Sequence, residues 1–410
     1  MIARKAYLEQ LDRWKDEKII KVITGIRRCG KSTLLAEFQD SLRRQGVQES
    51  QIISINFEDL AYERLLDYRA LYQYLEHHMD PHRKTYLFLD EVQKVSQFEK
   101  VVDSLFIKDT ADIYITGSNA FLLSGELATL LSGRYVEINM LPFSFGEYLE
   151  ATGRTDTDQA LADFLQWGGL PFVAGLGQDQ HRIDAYLEGI YNTILVKDIE
   201  EREQRRLPDP NKRKISDVTL LKNIARFLAG SVGSPVSMKR IAGYITSSGR
   251  KVSQSTIADY VEALVEPYIF YEVQPINVSG KQLLRTVSKY YIADLGIRNH
   301  ILPKQRYDLG FSLENLVYLE LRRRGYEVYV GRVGGLEVDF VARKDGAYAY
   351  YQVSANMTDP STFDRELAPF ARIRDNYPKL VLTLDRFTLG NYQGVLVVNI
   401  VDWLMGKAGA

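Results

Sequence analysis

A glycine-containing loop at residues 25–35, GIRRCGKSTLL, constrains the fold of this chain more than any other stretch. It follows a largely apolar run at residues 19–23 and precedes KSTLLAEFQDSLRRQG, whose apolar spacing and terminal glycine predict a helix. Two glycines, a lysine and a serine match Gly-x4-Gly-Lys-Ser, a spacing that surrounds an anion with backbone N–H groups at the start of a helix. The alternative is a strand-to-helix turn that needs glycine for steric reasons alone. The predicted binding residues are Gly25, Ile26, Arg27, Arg28, Cys29, Gly30, Lys31, Ser32 and Thr33.

The region around this loop alternates strand-like and helix-like segments. The runs IIKVIT, QIISINF, TYLFLD, DIYITGS and YVEINM are rich in β-branched and aromatic residues, which predicts strands. Strands that alternate with helices predict an α/β fold with a parallel sheet covered on both faces. Such a sheet places its ligand at the carboxyl ends of the strands, where this loop falls.

Polar residues at the ends of two later strands add to the prediction of a nucleotide site. Asp90 and Glu91 end the run YLFLDE, and Ser118 and Asn119 follow DIYITG. We expect Asp90, with Ser32, to hold Mg²⁺, and Glu91 to orient or deprotonate an attacking water. Asn119 is suited to hold that water. The alternatives are a solvated strand end for the two acids and ordinary turn chemistry for Gly-Ser-Asn.

Residues 19–140, with the motifs just quoted, resemble a P-loop ATPase of the AAA+ class, which implies ATP and Mg²⁺ as ligands. In that class an arginine late in the module often completes the site of a neighbouring subunit. Arg134, in LLSGRYVEINM, stands at the corresponding place, so the resemblance implies a neighbouring subunit, either another copy in a homo-oligomer or a protein partner. The alternative for Arg134 is a surface arginine at a turn.

A second resemblance covers nearly the whole chain. The phrases GSNAFLLSGELATLLSGRY, LPFSFGEYL, WGGLP and VKDI fit a bacterial and archaeal family that joins an AAA+ ATPase to a C-terminal domain of unknown function with a restriction-endonuclease-like core. This resemblance implies an ATPase core at 1–150, a helical lid and linker at 151–210, a winged helix-turn-helix at 211–300, and the endonuclease-like domain at 301–410.

Residues 211–300 carry a positive charge that the rest of the chain balances. This segment holds thirteen Lys or Arg against six Asp or Glu, a net charge of +7, while the whole chain has −1. The bias predicts DNA binding through phosphate contacts, whereas Asp259 and Glu262 argue against base reading by the second helix of the motif. The alternative is a winged helix used only for packing or protein contacts. The predicted phosphate contacts are Lys239, Arg240, Arg250 and Lys251, and the predicted core comprises Ile241, Ile245, Val252, Ile257, Tyr260, Val261 and Leu264, with Ser253 as the helix N-cap.

The last segment keeps part of the endonuclease-like pattern. Glu314 and Asp339 match the first two acidic positions of the resemblance, and Glu337 lies beside the second. The third position, an acid followed two residues later by lysine, reads Gln352 and Ser354 here. Because these residues supply neither the anionic ligand nor the positive charge, we predict a scaffold without cleavage activity.

Composition restricts the remaining possibilities. Cys29 is the only cysteine, so neither an internal disulfide nor a cysteine zinc cluster is expected. The sequence has neither a signal-type start nor an apolar run near the roughly 18 residues of a membrane span, which predicts a cytoplasmic protein that does not contact membranes. Two functions remain open: an ATP-hydrolysing enzyme that engages nucleic acid or a protein partner, and a nucleotide-dependent switch with little turnover. A third possibility is a DNA-binding protein with residual nuclease activity.

Overall fold

The computed structural model describes residues 2–117, 131, 133–199, 215–247, 249–284, 286–302 and 308–408. The chain divides into two compact units, the first of which ends at Pro142 and the second of which begins at Phe143. The predicted borders at residues 150, 210 and 300 remain predictions. Within the described ranges, no helix combines the length and the apolar character needed to cross a membrane.

The first unit is an α/β layer structure, as predicted. Its five strands form one parallel sheet in the order β2-β3-β4-β1-β5, and each coincides with a run that predicted a strand. The elements are α1 (Lys5–Arg13), β1 (Ile20–Thr24), α2 (Lys31–Arg44), β2 (Ile52–Asn56), α3 (Tyr68–His78), β3 (Thr85–Asp90), α4 (Phe98–Lys108), β4 (Ala111–Thr116) and β5 (Tyr135–Asn139), with short 3-10 turns at Glu49–Gln51, Leu60–Leu66 and Val92–Lys94.

Helices cover both faces of this sheet, which explains why its central strands are buried and mostly apolar. Every residue of β1 and β3 is buried. On one face, strand residues such as Leu87 pack against Leu75 of α3 and Val101 of α4. On the other face, Phe38 of α2 contacts the rings of Phe88 and Tyr114. Burying each large apolar side chain contributes about 1.5–3 kcal/mol, so the two-sided core fixes the sheet that carries the loop.

The second unit begins with helices that are separated by glycine and proline. Ser144 starts the first helix with a reciprocal cap: its Oγ accepts the N–H of Glu147 at 3.0 Å, and the Glu147 carboxylate accepts the N–H of Ser144 at 2.7 Å. The helices are α5 (Phe145–Thr152), α6 (Thr157–Trp167), α7 (Pro171–Ala174) and α8 (Gln180–Asn192), followed by a π-helical turn at Thr193–Asp198.

The middle of the second unit has the predicted order of helix, turn, helix and strands. Ser253 accepts the N–H of Thr256 at 3.1 Å, which confirms it as the N-cap, and the predicted core residues are buried apart from the half-buried Val252. Three strands pair antiparallel in the order β6-β10-β7. The elements are α9 (Val218–Gly230), β6 (Pro235–Val236), α10 (Met238–Ser247), α11 (Gln254–Val265), β7 (Phe270–Val273), β8 (Pro275–Asn277), β9 (Gln282–Leu283), β10 (Ser288–Ile292) and α12 (Leu295–Ile301).

The last part of the second unit is a mixed sheet of eight strands in the order β15-β16-β14-β13-β12-β11-β8-β9. Two of these strands, β8 and β9, precede residue 300, and β8 pairs parallel with β11. The remaining elements are α13 (Leu309–Arg323), β11 (Glu327–Val333), β12 (Leu336–Lys344), β13 (Ala347–Ser354), α14 (Pro360–Leu367), β14 (Lys379–Thr383), β15 (Gly390–Tyr392), β16 (Val395–Asn399) and α15 (Ile400–Leu404).

The WGGLP motif marks a tight contact within the second unit. The carboxylate of Asp294, which caps α12, accepts the N–H of Gly169 at 2.7 Å and that of Ile297 at 3.1 Å. A Cβ atom on Gly168 would lie 2.2 Å from Asp294 Oδ1, and Gly168 has a φ of +80°. Only glycine fits there, so the motif joins the end of α6 to the start of α12.

A candidate nucleotide site at the carboxyl edge of the parallel sheet

The loop between β1 and α2 has a backbone that only glycine accommodates at two positions. Gly25 has a φ of +138°, and a Cβ atom there would lie 2.1 Å from the carbonyl oxygen of Met140. Gly30 has a φ of +107° and stands at the N-cap of α2. No described side chain caps this helix, so its first N–H groups point from the loop toward any anion held there.

Lys31 folds back onto the loop. Its Nζ donates to the carbonyl oxygens of Gly25 at 3.0 Å and Ile26 at 3.3 Å, and the residue is 5% exposed. Ile26 and Cys29 are fully buried beneath the loop. The ammonium therefore stays at the loop, within reach of an anion bound by the helix N-terminus.

Asp90, at the end of β3, lies in a network of hydrogen-bond donors. Thr116 Oγ1 donates to its Oδ1, and Asn56 Nδ2 donates to its Oδ2 at 3.1 Å. Burial raises the pKa of Asp90, and the hydroxyls of Thr116 and Ser32 oppose that rise. Ser32 and Asp90, predicted from the sequence to share a metal ion, are thus near enough for the serine hydroxyl to act on the carboxylate.

Glu91 adopts a backbone conformation that is rare for a residue with a side chain. Its φ is +56°, its N–H donates to Thr116 Oγ1 at 3.1 Å, and its Oε2 accepts a hydrogen bond of 2.5 Å from Gln93 Nε2. Left-handed backbone costs about 1–3 kcal/mol and persists only where the surroundings enforce it, often at functional sites. This backbone conformation places the half-buried carboxylate of Glu91 at the same edge of the sheet as Asp90.

The two arginines of the loop have different environments. Arg27 lies 3.7 Å from Glu58 Oε1, which Lys94 also approaches to 3.8 Å. Arg28 has a φ of +68° and is exposed, as is Thr33. Glu58, which follows β2, thus pairs with Arg27, one of the two arginines of the loop.

Arg134 is separate from this group of residues. It precedes β5 and therefore lies at the amino edge of the parallel sheet, opposite the loop. Its guanidinium lies 3.4 Å from Asp103 and over the ring of Phe106. A role for Arg134 is possible only in the site of another subunit. Ser118 and Asn119 lie outside the described residues.

Sequence reasoning missed the polar residues that end the other strands. Asn56 ends β2 and Thr116 ends β4, and both bind Asp90. Thr24 ends β1 and Asn139 ends β5, with a hydrogen bond of 3.2 Å between their side chains. Every strand of the parallel sheet therefore ends in a polar residue. That pattern was readable in the sequence once the strands had been assigned.

In the second unit, the predicted acidic residues border one cavity of about 350 Å³. Glu314, Glu337 and Asp339 line it together with Gln352 and Glu366. Across the described part of the chain, no three His, Cys, Asp or Glu side chains converge as metal ligands. The endonuclease-like metal site thus does not fit the residues present.

The positive charges of residues 211–300 are divided between the surface and the interior. Lys239, Arg240, Arg250 and Lys251 are exposed, and Arg250 pairs with Asp217. Lys289 and Arg298, by contrast, are 3% and 4% exposed. The net charge of the segment therefore overstates the positive charge that is available to phosphate groups. The four predicted contact residues remain accessible.

One protein-family match agrees with the fold of the first unit. Residues 17–149 match the AAA domain family, and residues 158–308 match a domain of unknown function, DUF8612. A Walker-type ATPase of Pyrococcus abyssi is 17% identical, with a TM-score of 0.46, over 73% of this chain and 96% of that chain.

Two relatives match most of the chain. An uncharacterised protein of Methanocaldococcus jannaschii is 31% identical over 343 residues, which are 78% of this chain and 71% of that protein. An uncharacterised protein of Haemophilus influenzae is 38% identical over 411 residues, 99% of each chain. This chain therefore belongs to the same family as the Haemophilus protein, and its residues 17–149 are an AAA domain.

Proposed function

We propose that the first unit binds ATP with Mg²⁺ at residues 25–33 and hydrolyses it. We further propose that this cycle controls how the second unit engages nucleic acid or a protein partner. The observation that carries the proposal is the position of Asp90, hydrogen-bonded to Asn56 and Thr116, at the carboxyl edge of the parallel sheet where the loop places Lys31 and Ser32. A glycine turn that serves sterics alone has no need of this polar group.

Each residue of the site has a distinct proposed role. The N–H groups at the start of α2 and the ammonium of Lys31 bind the β and γ phosphates, which replace the carbonyl partners of the lysine. Ser32 and Asp90 hold the magnesium ion, which neutralises phosphate charge. Glu91 orients and deprotonates the attacking water. Arg134, which is remote from its own loop, serves a neighbouring copy and so makes hydrolysis dependent on a homo-oligomer.

A binding titration with a fluorescent ATP analogue tests the proposal. Lys31→Ala is expected to lose most of the affinity, because amides and metal alone then offset the phosphate charge. Lys108→Ala, on the exposed end of α4, removes the same charge away from the loop and is expected to bind as the wild type does. Equal affinity in both variants would place the nucleotide elsewhere.

One observation favours the second candidate function, a nucleotide-dependent switch. In a single copy Arg134 lies at the amino edge of the sheet, away from the loop, so ATP would be held there without the arginine that promotes turnover. Steady-state phosphate release, measured with and without DNA, separates the two candidates. Turnover that DNA stimulates supports a coupled ATPase, whereas tight binding without phosphate release supports the switch.

A further inference from the structure

A buried lysine lies among the carboxylates of the second unit. Lys289, on β10, places its Nζ 3.0 Å from Glu314 Oε1 on α13 and 2.7 Å from Glu337 Oε1 on β12. Lys289 is 3% exposed and Glu314 is 7% exposed. A buried ammonium is costly unless it is paired, so this contact is a requirement of the fold at this point.

We propose that the ammonium of Lys289 takes the place of a bound cation among Glu314, Glu337 and Asp339, the acids that line the cavity of about 350 Å³. The second unit thus carries an internal lysine where an endonuclease-like core carries a divalent metal. The inference is independent of the proposed ATPase activity. It extends the prediction drawn from Gln352 and Ser354, because the lysine comes from a strand outside the endonuclease-like pattern.

At least one carboxylate oxygen of each of the three acids already accepts a protein donor. Glu314 Oε1 accepts the hydroxyl of Tyr291 at 2.6 Å in addition to the lysine. Glu337 Oε2 lies 2.9 Å from the guanidinium of Arg332. Asp339 Oδ2 accepts the N–H of Val353 at 2.8 Å. Hard divalent cations bind clusters of anionic oxygens, and here those oxygens are turned toward N–H and O–H groups instead.

The space around these carboxylates is restricted as well. A Cβ atom on Gly233 would lie 3.0 Å from Glu314 Oε2, so the backbone of residue 233 closes that side of the carboxylate. Gln352 accepts the N–H of Asp339 at 2.9 Å and donates to Glu366 at 3.0 Å. A carboxylate at position 352 would have no N–H to donate to Glu366 and would add a negative charge to the cavity. Glutamine therefore suits a cavity in which a lysine, rather than a metal ion, balances the acids.

Manganese binding to the full, nucleotide-free chain tests this inference. Electron paramagnetic resonance counts free Mn²⁺ in titrations of the wild type, Lys289→Met and Lys289→Met/Glu314→Gln. All three keep Ser32 and Asp90, so any manganese at the first unit is common to them. Lys289→Met leaves Glu314 and Glu337 without their shared cation, so we expect this variant to bind one ion that the wild type does not bind, and the double variant to lose it. Lys281→Met, which removes an ammonium paired with Asp375, is the matched control and is expected to gain none.

Two outcomes would overturn the inference. One is a wild-type manganese site that Glu314→Gln removes, since a metal would then share the cavity with the lysine. The other is a Lys289→Met protein that keeps the wild-type near-ultraviolet circular dichroism and gains no ion. If this variant does not fold, the wild type and Glu314→Gln decide the matter by thermal unfolding with Mn²⁺ or with chelator. The same effect of Mn²⁺ on the wild type and on Glu314→Gln supports the inference, and a manganese-dependent rise that Glu314→Gln abolishes contradicts it.

Discussion

Gln93 donates a hydrogen bond of 2.5 Å from Nε2 to Oε2 of Glu91. Gln93 is 9% exposed and lies in the turn that follows β3, so it contacts the proposed base without lining the phosphate loop. It is a positioning residue, and its loss is expected to affect the rate of the chemical step more than nucleotide affinity.

We expect Gln93→Leu to lower kcat for ATP hydrolysis by about tenfold with KM for ATP unchanged. Steady-state kinetics at varied ATP concentration measure kcat and KM. Gln73→Leu, on the exposed side of α3, is the control. A rise in KM alone would show that Gln93 acts on nucleotide binding instead.

The two acids at the end of β3 are expected to have separable effects. Glu91→Gln keeps the shape of the side chain and is expected to bind ATP normally while hydrolysis falls about a hundredfold or more. Asp90→Asn removes a charge next to Ser32 and is expected to raise the Mg²⁺ concentration needed for half-maximal activity. Phosphate release at varied magnesium distinguishes them. Unchanged turnover in Glu91→Gln would move the base to another residue or favour the switch.

DNA binding is expected to depend on the exposed cations of the second unit. Replacing Lys239, Arg240, Arg250 and Lys251 by Gln is expected to weaken binding equally for all sequences and to reduce the slope of log K against log salt by up to about 3 to 4. Lys100→Gln and Lys108→Gln, on α4 of the first unit, serve as controls. Fluorescence anisotropy in a salt series measures the slope. Salt-insensitive binding to one sequence would contradict phosphate contact.

The same preparations test for cleavage. Plasmid and oligonucleotides incubated with Mg²⁺ or Mn²⁺, with and without ATP, are expected to remain intact, because the cavity lacks a cluster of free anionic ligands. Cleavage that Asp339→Ala abolishes would restore the nuclease interpretation.

Stability is expected to depend on pH through Asp294. Burial raises the pKa of this carboxyl to about 6 from an ordinary 3.8, although backbone N–H groups of Gly169 and Ile297 oppose the rise. The native state then binds more protons than the unfolded state between about pH 4 and 6. The free energy of unfolding therefore falls as pH rises through this window, by about 3 kcal/mol, and levels off above it.

Asp294→Asn is expected to be less stable at every pH, since it offers one acceptor fewer to the WGGLP loop, but to lack this pH-dependent component. Urea unfolding at several pH values, followed by the fluorescence of Trp167 and Trp403, compares the two proteins. Parallel dependence on pH in both would assign the effect to another group.

The sequence was sufficient to predict the first unit because its local signals and its packing agree. An apolar strand followed by glycine, lysine and serine has few structural solutions, and all five strands were found where β-branched and aromatic runs occur. Asp90 was predicted as a partner of Ser32 for the same reason: both follow from a parallel sheet with its ligand at the carboxyl edge.

The remaining contacts depend on long-range pairing, which a local pattern does not reveal. Lys289 contributed to the net positive charge counted for residues 211–300, yet it is buried and pairs with Glu314 on α13, a helix of the next segment. Asp294 and Gly169 are separated by more than a hundred residues, and only the fold shows that one carboxylate explains a glycine pair. Partners of this kind require the tertiary structure.

The pairing of β8 with β11 has a consequence for synthesis of the chain. The hairpin of β8 and β9 is made before residues 327–333, the strand that joins it to the rest of its sheet. On the ribosome its unpaired edge is exposed until that strand emerges, and exposed strand edges favour association between chains. Both strands of the hairpin are short, three residues in β8 and two in β9, which limits the backbone that this edge presents to another nascent copy.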